Sequence, residues 1–223
     1  MYRATKAIIL AAGKGERLLP LTATTPKPLI AIEGTPLIER LIKQLKQAGI
    51  EDIVVVTGHL HEQFDYLREQ VRLVYNPHYE RCNNISSLYM VREALGECMI
   101  LDGDLIVNNV KILDPVFEQS GYCSVPIREW VQEVGQQQVL RTLRNTGYQL
   151  YSISFWTAAD SEKLKQHLHE CFPSQPDLFW DDIPHFVKKE CYQLGIRPIE
   201  STDIVEIDTL EELKDYVSEH EVR

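Results

Sequence analysis

The chain alternates between two hydrophobic periods, and this alternation constrains its fold more than any other feature. Lys6–Ala11 and Asp52–Thr57 are short, largely apolar runs of the kind buried on both faces of a parallel sheet. Between them, Thr35-Pro36 offers an N-cap and a proline at the first helical position. Leu37, Ile38, Leu41, Ile42 and Leu45 then mark one helical face, and Gly49 stops the helix. The rhythm continues with a helix over His61–Gln70, a strand at Arg72–Tyr75, a helix over Ser86–Ala94 and a strand at Cys98–Asp102. A βαβαβ succession implies an α/β fold: a mostly parallel sheet with helices on both faces.

The second half is less regular. Ser124–Ile127, Gln138–Arg144 and Tyr148–Phe155 read as strands, the last two joined by a turn at Asn145-Thr146-Gly147. Asp160–Cys171 and Phe179–Cys191 read as helices, and Arg197–Ile199 and Ile204–Ile207 as strands. A capping box, Thr209-x-x-Glu212, opens a final helix with Leu210, Leu213 and Val217 on one face. No repeat, low-complexity tract or linker interrupts the pattern. The expectation is one domain over 1–223, with halves near 1–110 and 111–223 and a small inserted sheet portion near 120–156.

Composition removes several classes. At 44% hydrophobic and 25% charged the chain is ordinary globular material, not disordered, collagenous or coiled-coil. No apolar run approaches the ~20 residues that span a bilayer, and no signal peptide opens the chain. Cys82, Cys98, Cys123, Cys171 and Cys191 are odd in number, widely spaced and never CxxC, which points to reduced thiols in a cytoplasmic protein. Net charge is −10, yet residues 1–30 carry +4, from Arg3, Lys6, Lys14, Arg17 and Lys27 against Glu16. An acidic body repels nucleic acid and anionic membranes, while a basic opening segment suits a small anionic ligand. A chance cluster of solvated charges is the competing explanation until the motif below is considered.

That motif is Leu10-Ala-Ala-Gly-Lys-Gly-Glu-Arg-Leu18, followed by Pro20 and by Thr25-Pro26-Lys27-Pro28. It starts where a strand ends, the place ligands occupy in open α/β sheets. Ala11, Ala12, Gly13 and Gly15 let backbone N–H groups approach a nucleotide, and Lys14, Arg17 and Lys27 can neutralise a polyphosphate. A dinucleotide-binding turn does not fit: Leu18 replaces its third glycine, and Pro20, Pro26 and Pro28 forbid a long helix. The P-loop pattern GxxxxGK[ST] is absent.

The whole string resembles the signature of nucleotidyltransferases that join an NTP to a phosphorylated small molecule and release pyrophosphate. Tyr75-Asn-Pro-His-Tyr79, Asn83-Asn84-Ile-Ser-Ser-Leu-Tyr89, Asp102-Gly-Asp104, Ser154-Phe-Trp156, Trp180-Asp-Asp182 and Val205-Glu-Ile-Asp208 look like the bacterial CTP:phosphocholine cytidylyltransferase branch. A relative acting on 2-aminoethylphosphonate shares Asn84-x-x-Ser87. The resemblance implies a Rossmann-like nucleotidyltransferase fold with a mixed sheet, CTP and phosphocholine as substrates, and Mg²⁺ held by Asp104 and Asp208. It also places Lys27 at the reacting phosphates and Arg17 on the triphosphate. Two carboxylates suffice for Mg²⁺, which fills its remaining positions with phosphate oxygens and water. Surface turn acids are the plainer reading of the same DxD and ExD patterns.

Nucleotide contacts are expected from Leu10, Ala11, Ala12, Gly13, Lys14 and Gly15, with Asp102 nearby and Asn84 and Ser87 reading the base. Helix capping is an equal explanation for Asn84 or Ser86. A quaternary ammonium is recognised by aromatic faces with acids nearby, so Tyr89, Trp130, Trp156, Trp180, Asp181 and Asp182 are acceptor candidates. Core packing competes for each lone tryptophan. The stretch Pro126–Gln138, shorter than in choline-specific relatives, would also line that pocket. Two alternatives stand beside this reading: the same chemistry on an aminoalkylphosphonate, phosphoethanolamine or sugar 1-phosphate, and a non-catalytic regulatory homologue. A monomer or homodimer is expected, without nucleic-acid or membrane partners.

Overall fold

The computed structural model describes residues 1–126, 142–143 and 148–220. Strands β1 (Lys6–Ala11), β2 (Asp52–Thr57), β3 (Arg72–Tyr75) and β4 (Cys98–Asp102) occupy the positions that the apolar runs predict. A short strand, β5 (Leu105–Val107), follows, and then β6 (Gly121–Pro126), β7 (Tyr148–Trp156), β8 (Gly195–Pro198) and β9 (Ile204–Glu206). The main sheet runs β8–β6–β7–β4–β1–β2–β3, with Thr142–Leu143 paired beside β7. Strand β1 is parallel to β4 and β2, β2 to β3, and β6 to β8. Strand β7 is antiparallel to both its neighbours, which makes the sheet mixed. The described strands of the 120–156 portion, Gly121–Pro126 and Tyr148–Trp156, are thus hydrogen-bonded into the main sheet. The turn expected at 145–147, and all but Thr142–Leu143 of the strand expected over Gln138–Arg144, lie outside the described residues.

Alternating side chains of β1 face opposite layers. Ala7, Ile9 and Ala11 pack with Ile38, Leu41, Ile42 and Leu45 of α1 (Leu37–Gln47). Ile8 and Leu10 pack with Leu88 of α2 (Ile85–Met90) and with Leu164 and Leu168 of α3 (Ala158–Cys171). Each buried Ile or Leu side chain contributes about 1.5–3 kcal/mol, and burial on both faces explains why β1 and β2 carry no alternating polar residues. Gly49 ends α1 at φ 88°, and the N–H of Ile50 reaches back to the carbonyl of Leu45 at 3.0 Å.

Three local expectations change. Thr35-Pro36 does not cap α1: Thr35 pairs with Ile32 in a two-residue ladder, which leaves Pro36 at the cap without a side-chain bond. His61–Leu67 winds as a 3₁₀ helix entered through Leu60 at φ 49°. Within 179–191, Ile183–Val187 widens to a π-turn and Lys189–Cys191 tightens to 3₁₀, because Pro184 has no N–H for an α-helical ladder.

Strand β9 pairs antiparallel with β5, Glu206 opposite Leu105. That short sheet brings the end of the chain against the segment following β4. Helix α4 (Leu210–His220) then docks on a third apolar cluster through Leu213 and Tyr216. Among the described residues, no helix is long and apolar enough to cross a membrane.

Candidate active site

Parallel strands β1 and β4 end side by side, Leu10 opposite Asp102, and a cavity of about 660 Å³ opens above them. Its wall contains Leu10, Ala11, Ala12, Gly13, Lys14 and Gly15, together with Arg17, Lys27, Asn84, Ser87, Asp102, Asp104 and Asp208. These thirteen positions are all that the sequence marks for nucleotide, phosphate and metal. The loop after β1 turns back at Gly15, whose φ of 63° favours glycine and whose carbonyl accepts from the Thr22 hydroxyl at 2.9 Å. A Cβ at Gly13 would stand in open space, so this part of the loop presents bare backbone to the cavity.

Two prolines bracket Lys27 and hold it in a 3₁₀ turn, Lys27–Leu29, under the loop. Its side chain is only 10% exposed, and its ammonium meets Asp104 Oδ2 at 2.5 Å and Asp208 Oδ1 at 2.9 Å. Arg17 reaches the same Asp208 oxygen at 3.0 Å but is mostly exposed. Burial works against the charge on Lys27, yet Asp104 and Asp208 outweigh it and hold the ammonium above its ordinary pKa. Asp208 is desolvated too, and Lys27 and Arg17 pull it below the usual carboxylate range. Lys14 stands 3.9 Å from Glu16 at the rim.

A second acid pair lies beyond Asp104. Withdrawal from water, and then the Asp104 charge, push Asp102 and Glu206 above the carboxylate range. The Ser152 hydroxyl donates to Glu206 Oε1 at 3.2 Å. Asp181 adds to the negative field at Asp102. A positive group bound beside these carboxyls would draw them back to the charged form. Glu206 and Ser152 were not singled out as site residues, although the ExD alternation already put Glu206 two places before Asp208.

The same wall also carries Tyr79, Asn83 and Phe179. Asn84 Oδ1 accepts from the Trp180 backbone N–H at 2.9 Å, and Asn83 Nδ2 donates to the Asp177 carbonyl at 3.2 Å. Asn84 thus ties the 177–180 segment to the cavity wall. Phe179 had no sequence signal of its own; bonds from Asn83 and Asn84 to the 176–180 segment hold it beside the cavity.

The aromatic acceptor candidates are placed elsewhere. Trp156 is wholly buried, donates its indole N–H to Ser154 Oγ at 2.9 Å, and packs edge-on against Tyr122, Trp180 and Tyr192. Trp180 is 6% exposed and stacks near Tyr122 in the same cluster. Tyr89 packs on Phe172 with the Arg92 guanidinium 4.1 Å above its ring. None of the three lines the cavity; for Trp156 and Trp180, burying a large ring in the core outweighs leaving it in a wet pocket. Asp182 accepts from the Phe179 N–H at 2.8 Å and closes a turn. Trp130, and the 126–138 stretch apart from Pro126, lie outside the described residues.

Among the described residues no group of three or more His, Cys, Asp or Glu side chains is arranged to hold a metal. Asp104 and Asp208 nonetheless converge on one cation, the Lys27 ammonium. Two carboxylates beside an open phosphate-sized space fit a hard divalent ion that takes its other ligands from phosphate and water.

The comparisons with known proteins agree with this architecture. Residues 7–161 match the MobA-like NTP transferase domain. A 2-aminoethylphosphonate cytidylyltransferase of Lancefieldella rimae is 38% identical over 94% of this chain and 90% of its own. A choline-phosphate cytidylyltransferase of Streptococcus pneumoniae is 37% identical over 94% and 95%. The solved structure of a CTP:phosphocholine cytidylyltransferase from S. pneumoniae superposes with a TM-score of 0.82 at 34% identity, covering 97% of this chain and 98% of that one. With its strand-end cavity, glycine loop and matching domain, the chain belongs to the MobA-like NTP transferase family and is a nucleotidyltransferase.

Proposed function

We propose that the chain is a cytidylyltransferase that moves CMP from CTP to the phosphate or phosphonate of a small cationic acceptor, releasing pyrophosphate. The observation that carries this reading is one cavity lined by both signs of charge: Lys27 and Arg17 beside the glycine loop, and the carboxyls of Asp102 and Glu206 next to Asp104. Such an acceptor is itself bipolar, with an anionic head that reacts and a positive tail. The two relatives of nearly equal identity are named for acceptors of this kind.

An acceptor phosphate oxygen is already a competent nucleophile, so no Ser-His or Cys-His base is needed. It bonds to the α-phosphorus as the bond to the bridging oxygen of pyrophosphate breaks. Asp104 and Asp208 would hold Mg²⁺, which when bound supplies charge neutralisation at the phosphates. The backbone of Leu10–Gly15 cradles the nucleotide. Lys27 and Arg17 exchange their Asp208 contacts for phosphate oxygens, and the charge gathering there is met by cations already positioned.

Phosphocholine is the first acceptor to test and 2-aminoethylphosphonate the second. The cavity wall offers carboxylates and a serine hydroxyl together with the rings of Tyr79 and Phe179, which suits either a quaternary ammonium or one that donates N–H bonds. The test measures pyrophosphate release from CTP, UTP, ATP and GTP with phosphocholine, 2-aminoethylphosphonate, phosphoethanolamine and glucose 1-phosphate, with Mg²⁺ or EDTA. CTP with a cationic acceptor, dependent on Mg²⁺, is the expected result. Turnover confined to the sugar phosphate, or none with any pair, would overturn the proposal.

A further inference from the structure

Asn76 lies just beyond β3 and is completely buried behind the cavity wall. Its Oδ1 accepts from the His78 backbone N–H at 2.9 Å, which fixes which end of the carboxamide is nitrogen. Two hydroxyls, Ser86 Oγ and Ser87 Oγ, each stand 3.0 Å from Nδ2, one for each hydrogen. Ser86 passes its own hydrogen to the Asn83 carbonyl at 2.8 Å, so that relay closes inside the protein. Ser87 lines the cavity instead, and among the described residues its hydrogen has no protein acceptor. An oxygen that receives a hydrogen bond from behind is biased to turn its own O–H forward.

We infer that Asn76 is a positioning residue for base selection: by donating to Ser87 it occupies one lone pair of that hydroxyl and biases its O–H toward the nucleobase. The inference rests on the reading that CTP is the substrate and that its base lies against Ser87. Cytosine presents a lone pair at N3, whereas uracil presents N–H there. A hydroxyl biased toward donation pairs with the first and leaves two donors facing each other with the second. Asn76 touches no substrate and acts only through the direction of one hydroxyl.

The decisive substitution is Asn76→Asp, which keeps the shape and reverses the polarity. A carboxylate at position 76 accepts from Ser87, so the hydroxyl turns its lone pairs to the base. The readout is the ratio of kcat/KM for CTP to that for UTP, with KM for the acceptor measured alongside. Asn76→Asp should lower the ratio by at least about tenfold, partly through a gain with UTP, with acceptor KM unchanged. Ser87→Ala should lower the ratio without that gain, and Asn76→Asp added to Ser87→Ala should change it no further. Should Asn76→Asp not fold, Asn76→Ala supplies the comparison, with a smaller fall in the ratio and again no effect in the Ser87→Ala background. A folded variant at position 76 that keeps the parent ratio, or one that still changes it without Ser87, overturns the inference. If the parent enzyme itself fails to prefer CTP, the substrate reading beneath it is what falls.

Discussion

Lys27 holds the most demanding position in the molecule, a charged side chain nearly excluded from water and kept ionised by two carboxylates. If it meets the reacting phosphates, its contact tightens as charge moves onto the leaving group. Lys27→Ala should then lower kcat by roughly 10²–10³ while changing KM for CTP far less. Arg17, exposed and on the same Asp208 oxygen, should affect both constants when replaced by Ala. Steady-state kinetics of the two variants checks this, and a Lys27→Ala enzyme with unchanged kcat would reduce the lysine to a ground-state contact. His185 is a different kind of buried residue: burial alone lowers its pKa to about 4. The folded state thus holds it neutral while the unfolded chain, at about 6.5, takes up a proton. Its contribution is intact above about 6.5 and is lost as pH falls toward 4, by up to about 3 kcal/mol. His185→Phe should flatten the acid limb of the stability curve over that interval, as thermal melts from pH 7 to 4 would show. Parallel curves for both proteins would contradict it.

At the scale of elements, the start of α4 does two jobs. The capping box read from Thr209 and Glu212 is present, with the Glu212 N–H donating to Thr209 Oγ1 at 3.2 Å and the Thr209 N–H to Glu212 Oε2 at 2.8 Å. The same Glu212 oxygen accepts from the Asp208 N–H at 2.7 Å, so the helix cap also anchors the backbone of a pocket carboxylate. Glu212→Ala should cost about 1 kcal/mol of stability and lower turnover more than Thr209→Ala, which loses only the cap. Glu212→Gln, still an acceptor, should restore turnover. Equal activity in Glu212→Ala and the parent would separate the cap from the site.

For the whole molecule, the buried aromatic cluster is a structural device of the layer between the sheet and α3. Trp156 has no exposure, and its substitution removes packing against Tyr122, Trp180 and Tyr192 together. Trp156→Ala should cost about 3–5 kcal/mol and lower Tm by roughly 10 °C. Any activity left should show the same proportional loss toward nucleotide and acceptor. A stable Trp156→Ala protein with raised KM for the acceptor alone would return that ring to the site. Charge acts at this scale as well. A chain of net charge −10 repels an anionic ligand, and the basic opening segment offsets this only locally.

The sequence by itself determined the layered α/β plan and the early residues that line the strand-end cavity. Strand runs such as Lys6–Ala11 and Cys98–Asp102 are apolar because both sheet faces are covered, and that signature is local. The glycine loop, Lys27 and Asp104 are legible for the same reason: each lies at or near a strand end, and their spacing is carried by a few consecutive bonds. What the tertiary structure alone decided is which distant groups meet. Asp208 and Glu206 reach the pocket because β9 pairs with β5, and no local pattern specifies that register. Trp156, Trp180 and Tyr89 left the expected acceptor site because burial depends on what packs across from a ring, and sequence records only that the ring exists. Asn76 carried no signal of its own beyond its motif, since a polar residue reads as exposed until a buried partner accounts for each of its hydrogens.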